Sequence, residues 1–109
     1  MNIDIKDPAF NEKTALVQAL GRVIDPELGI GIIDLGLVYE VAVNNEARQV
    51  SVAMTLSSPS CPMGGMLTGH VKVAAEAALP GYQATVILVW QPAWNADRIS
   101  AGGRAMLGW

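Results

Sequence analysis

The stretch LSSPSCPMGG, residues 56–65, contains the single cysteine of the chain, Cys61. A strand-like alternation ends just before it, and from Pro62 the apolar residues repeat at helical spacing, which predicts Cys61 at the start of a helix. Unpaired backbone N–H groups and the helix dipole favour a thiolate there, so such a cysteine is often reactive. The alternative is a small buried apolar side chain. The flanking prolines, serines and glycines favour a thiol that is at least partly accessible to solvent.

Two carboxylates flank a proline in the glycine-bounded segment DPELG, at Asp25 and Glu27. Such a pair could bind a metal ion or steer a partner, and the alternative is a turn with a solvated acidic rim. His70 lies nine residues after Cys61 on the same predicted helix, roughly 13 Å along its axis, too far for a Cys–His dyad. Its place in the apolar stripe predicts a buried core histidine.

Two tryptophans, Trp90 and Trp94, follow the last predicted strand in WQPAWNADR. Large aromatic side chains near the edge of a small core can close a pocket or form a subunit interface. Covering the end of the sheet is the simpler alternative. Both tryptophans are therefore interface candidates.

Composition limits the class of protein. The chain has 109 residues, 51% of them apolar, and a net charge of −3, which fits one globular domain over residues 1–109 with a real core. No cluster of basic residues supports nucleic-acid binding, and no apolar run or signal sequence indicates a membrane or export. A single cysteine cannot form an intrachain disulfide or a four-thiolate metal site, and it fits a reducing, cytoplasmic setting.

Periodicity predicts the elements that position these residues. We expect helices over 9–22, 62–78 and 96–107, strands over 37–43, 49–56 and 82–90, and an ordered loop over 25–36. The first strand would bury Leu37, Tyr39, Val41 and Val43, and the second would leave Thr55 on its exposed face. The nearly all-apolar third strand predicts a central position or shelter on both faces. The order α-β-β-α-β-α predicts an α+β domain, a small mixed sheet with helices packed on it.

Three motifs in this order carry a resemblance to a known family: DPELGIGIIDLGLVYEV, VAMTLSSPSCP and PAWNADRISAGGRAMLG. Over roughly residues 16–108 the chain resembles the small iron–sulfur cluster assembly domain family, which includes SufT-like maturation factors and PaaD-like proteins. The resemblance implies an α+β domain that matures iron–sulfur proteins. PaaD-type members carry further cysteines in a C-terminal extension, and without them this chain is closer to the SufT-like form.

The resemblance also implies the residues of the site. The family's signature cysteine matches Cys61. Its acidic motif matches Asp25 and Glu27, with Leu28 beside them, in the predicted loop over residues 25–36, which we call the acidic loop. The polar positions before the cysteine match Ser57 and Ser58. The tail motif matches Trp94, Asp97 and Arg98.

The leading hypothesis is a maturation factor in which Cys61 contacts a cluster, an iron ion or a client thiol. Because clusters usually take four protein ligands, a transient cluster or iron ion would be shared across a homodimer or with a client or carrier. An adaptor without metal is an open alternative. A cysteine-nucleophile enzyme with Asp25 or Glu27 as base is disfavoured, because a nearby carboxylate opposes thiolate formation.

Two structural expectations accompany this hypothesis, one from the predicted topology and one from size and composition. Asp25 and Glu27 should lie on the same side of the domain as Cys61. A small, half-apolar chain with late tryptophans should also form a homodimer.

Overall fold

The computed structural model describes residues 5–26, 28–56 and 64–108. Their elements are α1 (Phe10–Leu20), β1 (Ile24–Asp25), β2 (Ile30–Gly31), β3 (Val38–Asn44), β4 (Gln49–Met54), α2 (Gly64–Ala78), β5 (Gln83–Leu88), a 3-10 helix (Ala96–Arg98) and α3 (Ala101–Leu107). The predicted α+β class is confirmed. None of the helices in these ranges is long and apolar enough to span a bilayer.

The main sheet has the order β3-β4-β5, with β3 and β4 antiparallel and β4 and β5 parallel. Helices α1 and α2 pack against each other and against the edge strands of this sheet. The core is formed between them by apolar side chains that include Leu16, Leu20, Val41, Val50, Val52, Met54, Leu67 and Val71. The opposite face of the sheet, with Ala42 and Thr85, is exposed to solvent.

A β-bulge changes the alternation at the start of β3. Val38 pairs with Met54 and Glu40 pairs with Ala53, so Tyr39 is the extra residue of the bulge. Val38 is consequently buried, whereas Tyr39 is half-buried and its hydroxyl donates a hydrogen bond to the Pro92 carbonyl (2.8 Å). The prediction that Tyr39 shares the buried face is therefore wrong.

The prediction that the third strand is central or sheltered on both faces is also wrong, because β5 lies at the edge of the sheet. Its apolar side chains Ile87 and Leu88 remain exposed. An apolar, β-branched run favours a strand, but the pattern does not specify how many neighbours the strand has.

Two further segments differ from the predicted boundaries. The expected loop over 25–36 contains a short antiparallel pair in which Asp25 of β1 lies opposite Ile30 of β2. The expected helix over 96–107 is interrupted at Ile99 and Ser100, and Ser100 caps α3 by accepting a hydrogen bond from the Gly103 N–H (3.0 Å).

Candidate functional site

Asp25 lies at the end of β1, in a tight turn that closes the β1–β2 pair. The residue is only 2% exposed. Oδ1 accepts a hydrogen bond from the Leu28 N–H (3.3 Å), and the Asp25 carbonyl accepts one from the Gly29 N–H (2.8 Å). Gly29 has a φ of +71°, a conformation that favours glycine. The alternative of a solvated acidic rim is therefore wrong for Asp25, which is a buried carboxylate.

Leu28 fixes the orientation of this turn. Its side chain is half-buried and packs against the hydrophobic core, while its N–H bonds the carboxylate of Asp25. Leu28 thus anchors the turn twice, through its N–H to Asp25 and through its side chain to the core. Glu27 lies between Asp25 and Leu28 in the sequence, outside the described residues.

Three segments of the chain meet at one end of the main sheet. The Thr55 N–H donates to the Leu37 carbonyl (2.8 Å), and the Val89 N–H donates to the Met54 carbonyl (2.8 Å). Three segments are therefore neighbours at this end of the sheet: the one that follows the acidic loop, the one that leads to Cys61 and the one that leads to Trp90. This is the sheet end at which the sequence predicts a joint site.

The remaining residues of that predicted site lie outside the described residues: Cys61, Ser57 and Ser58. Their proximity to Asp25 stays a prediction. In the part of the chain that the structure describes, no group of three or more His, Cys, Asp or Glu side chains is placed to hold a metal ion.

Thr55 is a buried polar residue at this sheet end that the sequence placed on the exposed face. β4 ends at Met54, so the two-residue alternation no longer applies, and Met54, Thr55 and Leu56 are all buried. The predicted antiparallel pairing of the two strands was a signal for the position of Thr55. This pairing brings Thr55, just after β4, next to Leu37, where the acidic loop ends.

A C-terminal segment, residues 94–103, binds the turn that follows β2. The Trp94 indole Nε1–H donates to the Leu35 carbonyl (2.6 Å), and the Ser100 hydroxyl donates to Asp34 Oδ1 (2.8 Å). A Cβ added to Gly36 would overlap the Arg98 carbonyl oxygen and lie 2.8 Å from the Arg98 Cβ. This segment therefore holds the second half of the acidic loop in place.

Trp94 and Trp90 occupy different environments. Trp94 is half-buried, packs against the core and uses its indole N–H inside the fold. Trp90 is 43% exposed. An interface role for either tryptophan stays a prediction, and Trp90 is the one with surface to contribute.

Two motif residues from distant parts of the sequence, Tyr39 and Arg98, form the wall of a cleft. The Arg98 guanidinium carbon lies 4.6 Å from the centroid of the Tyr39 ring, a cation–π contact. The cleft has a volume of about 410 Å³ and is also lined by Gly36, Val38 and Pro92. Asp97, the neighbour of Arg98, forms an ion pair with Arg104 instead, with 3.7 Å between Asp97 Oδ1 and Arg104 Nη2.

The predicted buried position of His70 is wrong. Leu67, Val71 and Ala75 form the buried stripe of α2, whereas Met66 and His70 are exposed. Two apolar residues of α2, Met66 and Val73, remain exposed, so the spacing of apolar residues alone did not identify the buried face. His70 therefore has no role as a core residue.

The chain matches a family model described as "Iron-sulfur cluster assembly protein" over residues 13–89. It is 46% identical over 87 residues to the Fe-S protein maturation auxiliary factor SufT of Staphylococcus aureus, which covers 79% of this chain and 97% of that protein. It is 38% identical over 97 residues to the Fe-S protein maturation auxiliary factor YitW of Bacillus subtilis, covering 88% and 93% of the two chains.

Solved structures have the same fold. A domain of unknown function, DUF59, from Bacillus anthracis superposes with a TM-score of 0.84 at 35% identity, covering 90% of this chain and 92% of that one. A conserved hypothetical protein from Thermotoga maritima gives a TM-score of 0.75 at 33% identity, covering 89% and 94%. The chain belongs to the iron–sulfur cluster assembly protein family.

Proposed function

We propose that this protein is a maturation factor for iron–sulfur proteins, which helps to deliver a cluster or iron to client proteins. The proposal is supported by similarity over nearly the full length of two relatives that are named as Fe-S protein maturation auxiliary factors. A third relative is named as an iron-sulfur cluster carrier protein, and this chain spans 18% of it. Clients and cluster carriers are therefore the partners that we propose.

The proposed site joins Cys61 to Asp25 at one end of the sheet, with Glu27, Ser57 and Ser58 beside them. The observation that carries the site is the hydrogen bond between Thr55 and Leu37. It holds together the two chain segments that lead to the thiol and away from the acidic loop. Asp25 supports the proposal further, because its carboxylate is held by the turn in a fixed position.

The chemistry of the proposed site is ligand exchange. A thiolate is a soft ligand that suits iron, whereas carboxylates are harder ligands. Because Cys61 is the single cysteine, a cluster in transit would keep its other ligands on a carrier, a client or a second copy of this chain. Such a site holds its cargo briefly, because the partner supplies most of the bonds.

Cluster transfer tests this function. A carrier loaded with a cluster is mixed anaerobically with an apo-ferredoxin, and the transfer is followed by visible absorbance with and without this protein. We expect the wild-type protein to accelerate the transfer and Cys61→Ser to abolish the acceleration. Ser60→Ala is the matched control, because it changes the adjacent side chain and leaves the thiol intact.

Two results would contradict the proposed role of the thiol. An acceleration that Cys61→Ser retains in full would indicate an adaptor that acts without a metal ligand. An equal rate with and without the wild-type protein would contradict the maturation function for this carrier and client.

A further inference from the structure

The backbone groups of β5 divide into two sets. The Gln83 N–H donates to the Arg48 carbonyl (2.9 Å) and the Val89 N–H donates to the Met54 carbonyl (2.8 Å), so odd-numbered residues face β4. The groups of Ala84, Val86 and Leu88 therefore point to the open side of the strand, because successive residues alternate. This open side is the edge of the main sheet.

One end of this edge is closed by side chains from α2. Lys72 Nζ donates to the Ala84 carbonyl (3.0 Å), and the Ala84 N–H donates to Glu76 Oε2 (3.1 Å). Lys72 and Glu76 also pair with each other at 2.6 Å. Both backbone groups of Ala84 are thus occupied, whereas those of Val86 and Leu88 have no partner among the described residues.

The open part of the edge is apolar, and the described residues give it none of the usual protections. Ile87 is 47% exposed and Leu88 is 40% exposed, and the exposed Trp90 follows them. Residues 83–90 contain no charged residue and no proline. Natural edge strands are usually protected by such residues or by a bulge, and an edge without them is a template for another strand.

We propose that a second copy of this chain pairs with β5 along this edge. The two β5 strands would run antiparallel about a two-fold axis at Ile87, with Val86 opposite Leu88 of the partner subunit and Leu88 opposite Val86 of the partner subunit. Each pair exchanges two backbone hydrogen bonds, which gives four in total. The two three-stranded sheets then become one continuous sheet.

Two observations favour a second copy over an unrelated strand. The donors and acceptors of Val86 and Leu88, which are open with respect to the described residues, are symmetric about Ile87, so the edge is complementary to itself. The absence of charge over residues 83–90 also means that two copies with a net charge of −3 do not repel each other at the contact.

The Lys72–Glu76 pair selects the register. A two-fold axis at Val86 would place Ala84 opposite Leu88 of the partner subunit, but both backbone groups of Ala84 are already occupied. An axis at Leu88 would pair Val86 with Trp90 of the partner subunit, beyond the end of the strand. An axis at Ile87 pairs the N–H and carbonyl groups of both Val86 and Leu88.

Charge complementation tests this interface. In the proposed register Ile87 lies opposite Ile87 of the partner subunit, so Ile87→Lys places two like charges side by side and removes buried apolar surface. We expect the dissociation constant of the dimer to rise about tenfold or more for Ile87→Lys and for Ile87→Glu. An equimolar mixture of the two variants should dimerise again. Sedimentation velocity from micromolar to a few hundred micromolar measures each constant.

The matched control is Ile24→Lys, because Ile24 is an isoleucine of similar exposure (49%) on the other sheet. This variant should dimerise like the wild type. Val86→Pro is an independent variant, since it removes an N–H that faces the open edge and leaves the hydrogen bonds to β4 intact; it should also weaken the dimer. Circular dichroism establishes that each variant is folded.

Three outcomes would overturn the proposal. The wild-type protein could remain a monomer at a few hundred micromolar. Folded Ile87→Lys could dimerise as tightly as the wild type, or its mixture with Ile87→Glu could stay monomeric. The last two outcomes would place the interface on another surface or in another register.

Discussion

Asp25 combines a buried carboxylate with a position in a tight surface turn. Burial of a carboxylate is unfavourable unless hydrogen bonds compensate for the lost hydration, and the turn supplies one through the Leu28 N–H. The DPELG sequence predicted a turn and Asp25 as a candidate site residue. It did not predict the burial, which depends on how Leu28 packs against a core built from distant residues.

Asp25→Asn separates the charge of this residue from its structural role. The amide oxygen can still accept the hydrogen bond from Leu28, so we expect the free energy of unfolding to change little. If the carboxylate acts with Cys61, cluster transfer should fall about tenfold, as for partners of metal ligands. The control is Asp7→Asn, which removes a carboxylate that pairs with Lys13 on α1. Unchanged transfer by Asp25→Asn would contradict a joint site.

The cooperation of the thiol and the acidic loop can also be measured directly. Thiolate formation by Cys61 is followed by ultraviolet absorbance against pH, anaerobically, with and without ferrous iron. We expect iron to move thiolate formation to lower pH, because a bound cation offsets the negative charge of the loop. The double variant Asp25→Asn with Glu27→Gln should lose this effect. Identical curves with and without iron for the wild type would contradict the prediction.

Accessibility of the thiol is a separate prediction at this scale. Pro59, Pro62 and the neighbouring small residues favour an exposed Cys61 at the start of a helix. A maleimide should therefore label the folded protein at a rate comparable to that in denaturant. Labelling that requires denaturant would support the alternative of a buried apolar side chain.

At the scale of the elements, the pattern of residues predicted the type of each element better than it predicted which elements lie side by side. The alternation of Val50, Val52 and Met54 identified β4 and its buried face, because all three side chains on that face lie in the core. The same reasoning failed for β5. Its apolar residues resemble those of a central strand, and their exposure follows from the strand order, which depends on contacts between residues far apart in the sequence.

The contact between α2 and β5 gives a pH-dependent contribution to stability. The hydrogen bond from Lys72, followed by that from the Ala84 N–H, holds the pKa of the Glu76 carboxyl below its usual value of 4.5. The ionised carboxylate therefore stabilises the fold above about pH 4.5, and this contribution is lost as the pH falls through the lower pKa of the folded protein.

Glu76→Gln should consequently lower the free energy of unfolding at neutral pH. The difference from the wild type should shrink as the pH falls below about 4.5. Denaturant titrations over this range measure the difference, and Lys72→Met, which removes the same pair from the other side, should behave similarly. A difference that is constant across the whole range would contradict this account.

At the scale of the whole molecule, residues 94–103 connect the end of the fold to the loop that carries Asp25. The contacts of Trp94 with Leu35 and of Ser100 with Asp34 join residues that are 59 and 66 positions apart. The sequence predicted Trp94 as an interface candidate, and the family resemblance matched it to the tail motif. It could not predict these contacts, because Asp34 and Ser100 have no local pattern that pairs them.

Gly36 provides a test of how tightly this segment is docked. Gly36→Ala should cost about 2–4 kcal/mol of unfolding free energy, since it combines a left-handed backbone (φ of +73°) with an overlap against Arg98. Gly29→Ala is the matched control, because Gly29 has a similar φ of +71° and open space around the added Cβ. It should cost about 1–2 kcal/mol. Equal costs in chemical denaturation would show that residues 94–103 move aside easily.

The separation of 66 positions between Asp34 and Ser100 also has a consequence for the order of events during synthesis. A ribosome adds about 5–20 residues per second, so the turn at Asp34 is made roughly 3 to 13 seconds before the serine that binds it. The acidic loop of a nascent chain therefore spends its first seconds without these restraints. We expect the loop to reach its final arrangement only after residues 94–103 have emerged, so that an unfinished chain does not present a complete site to its cargo.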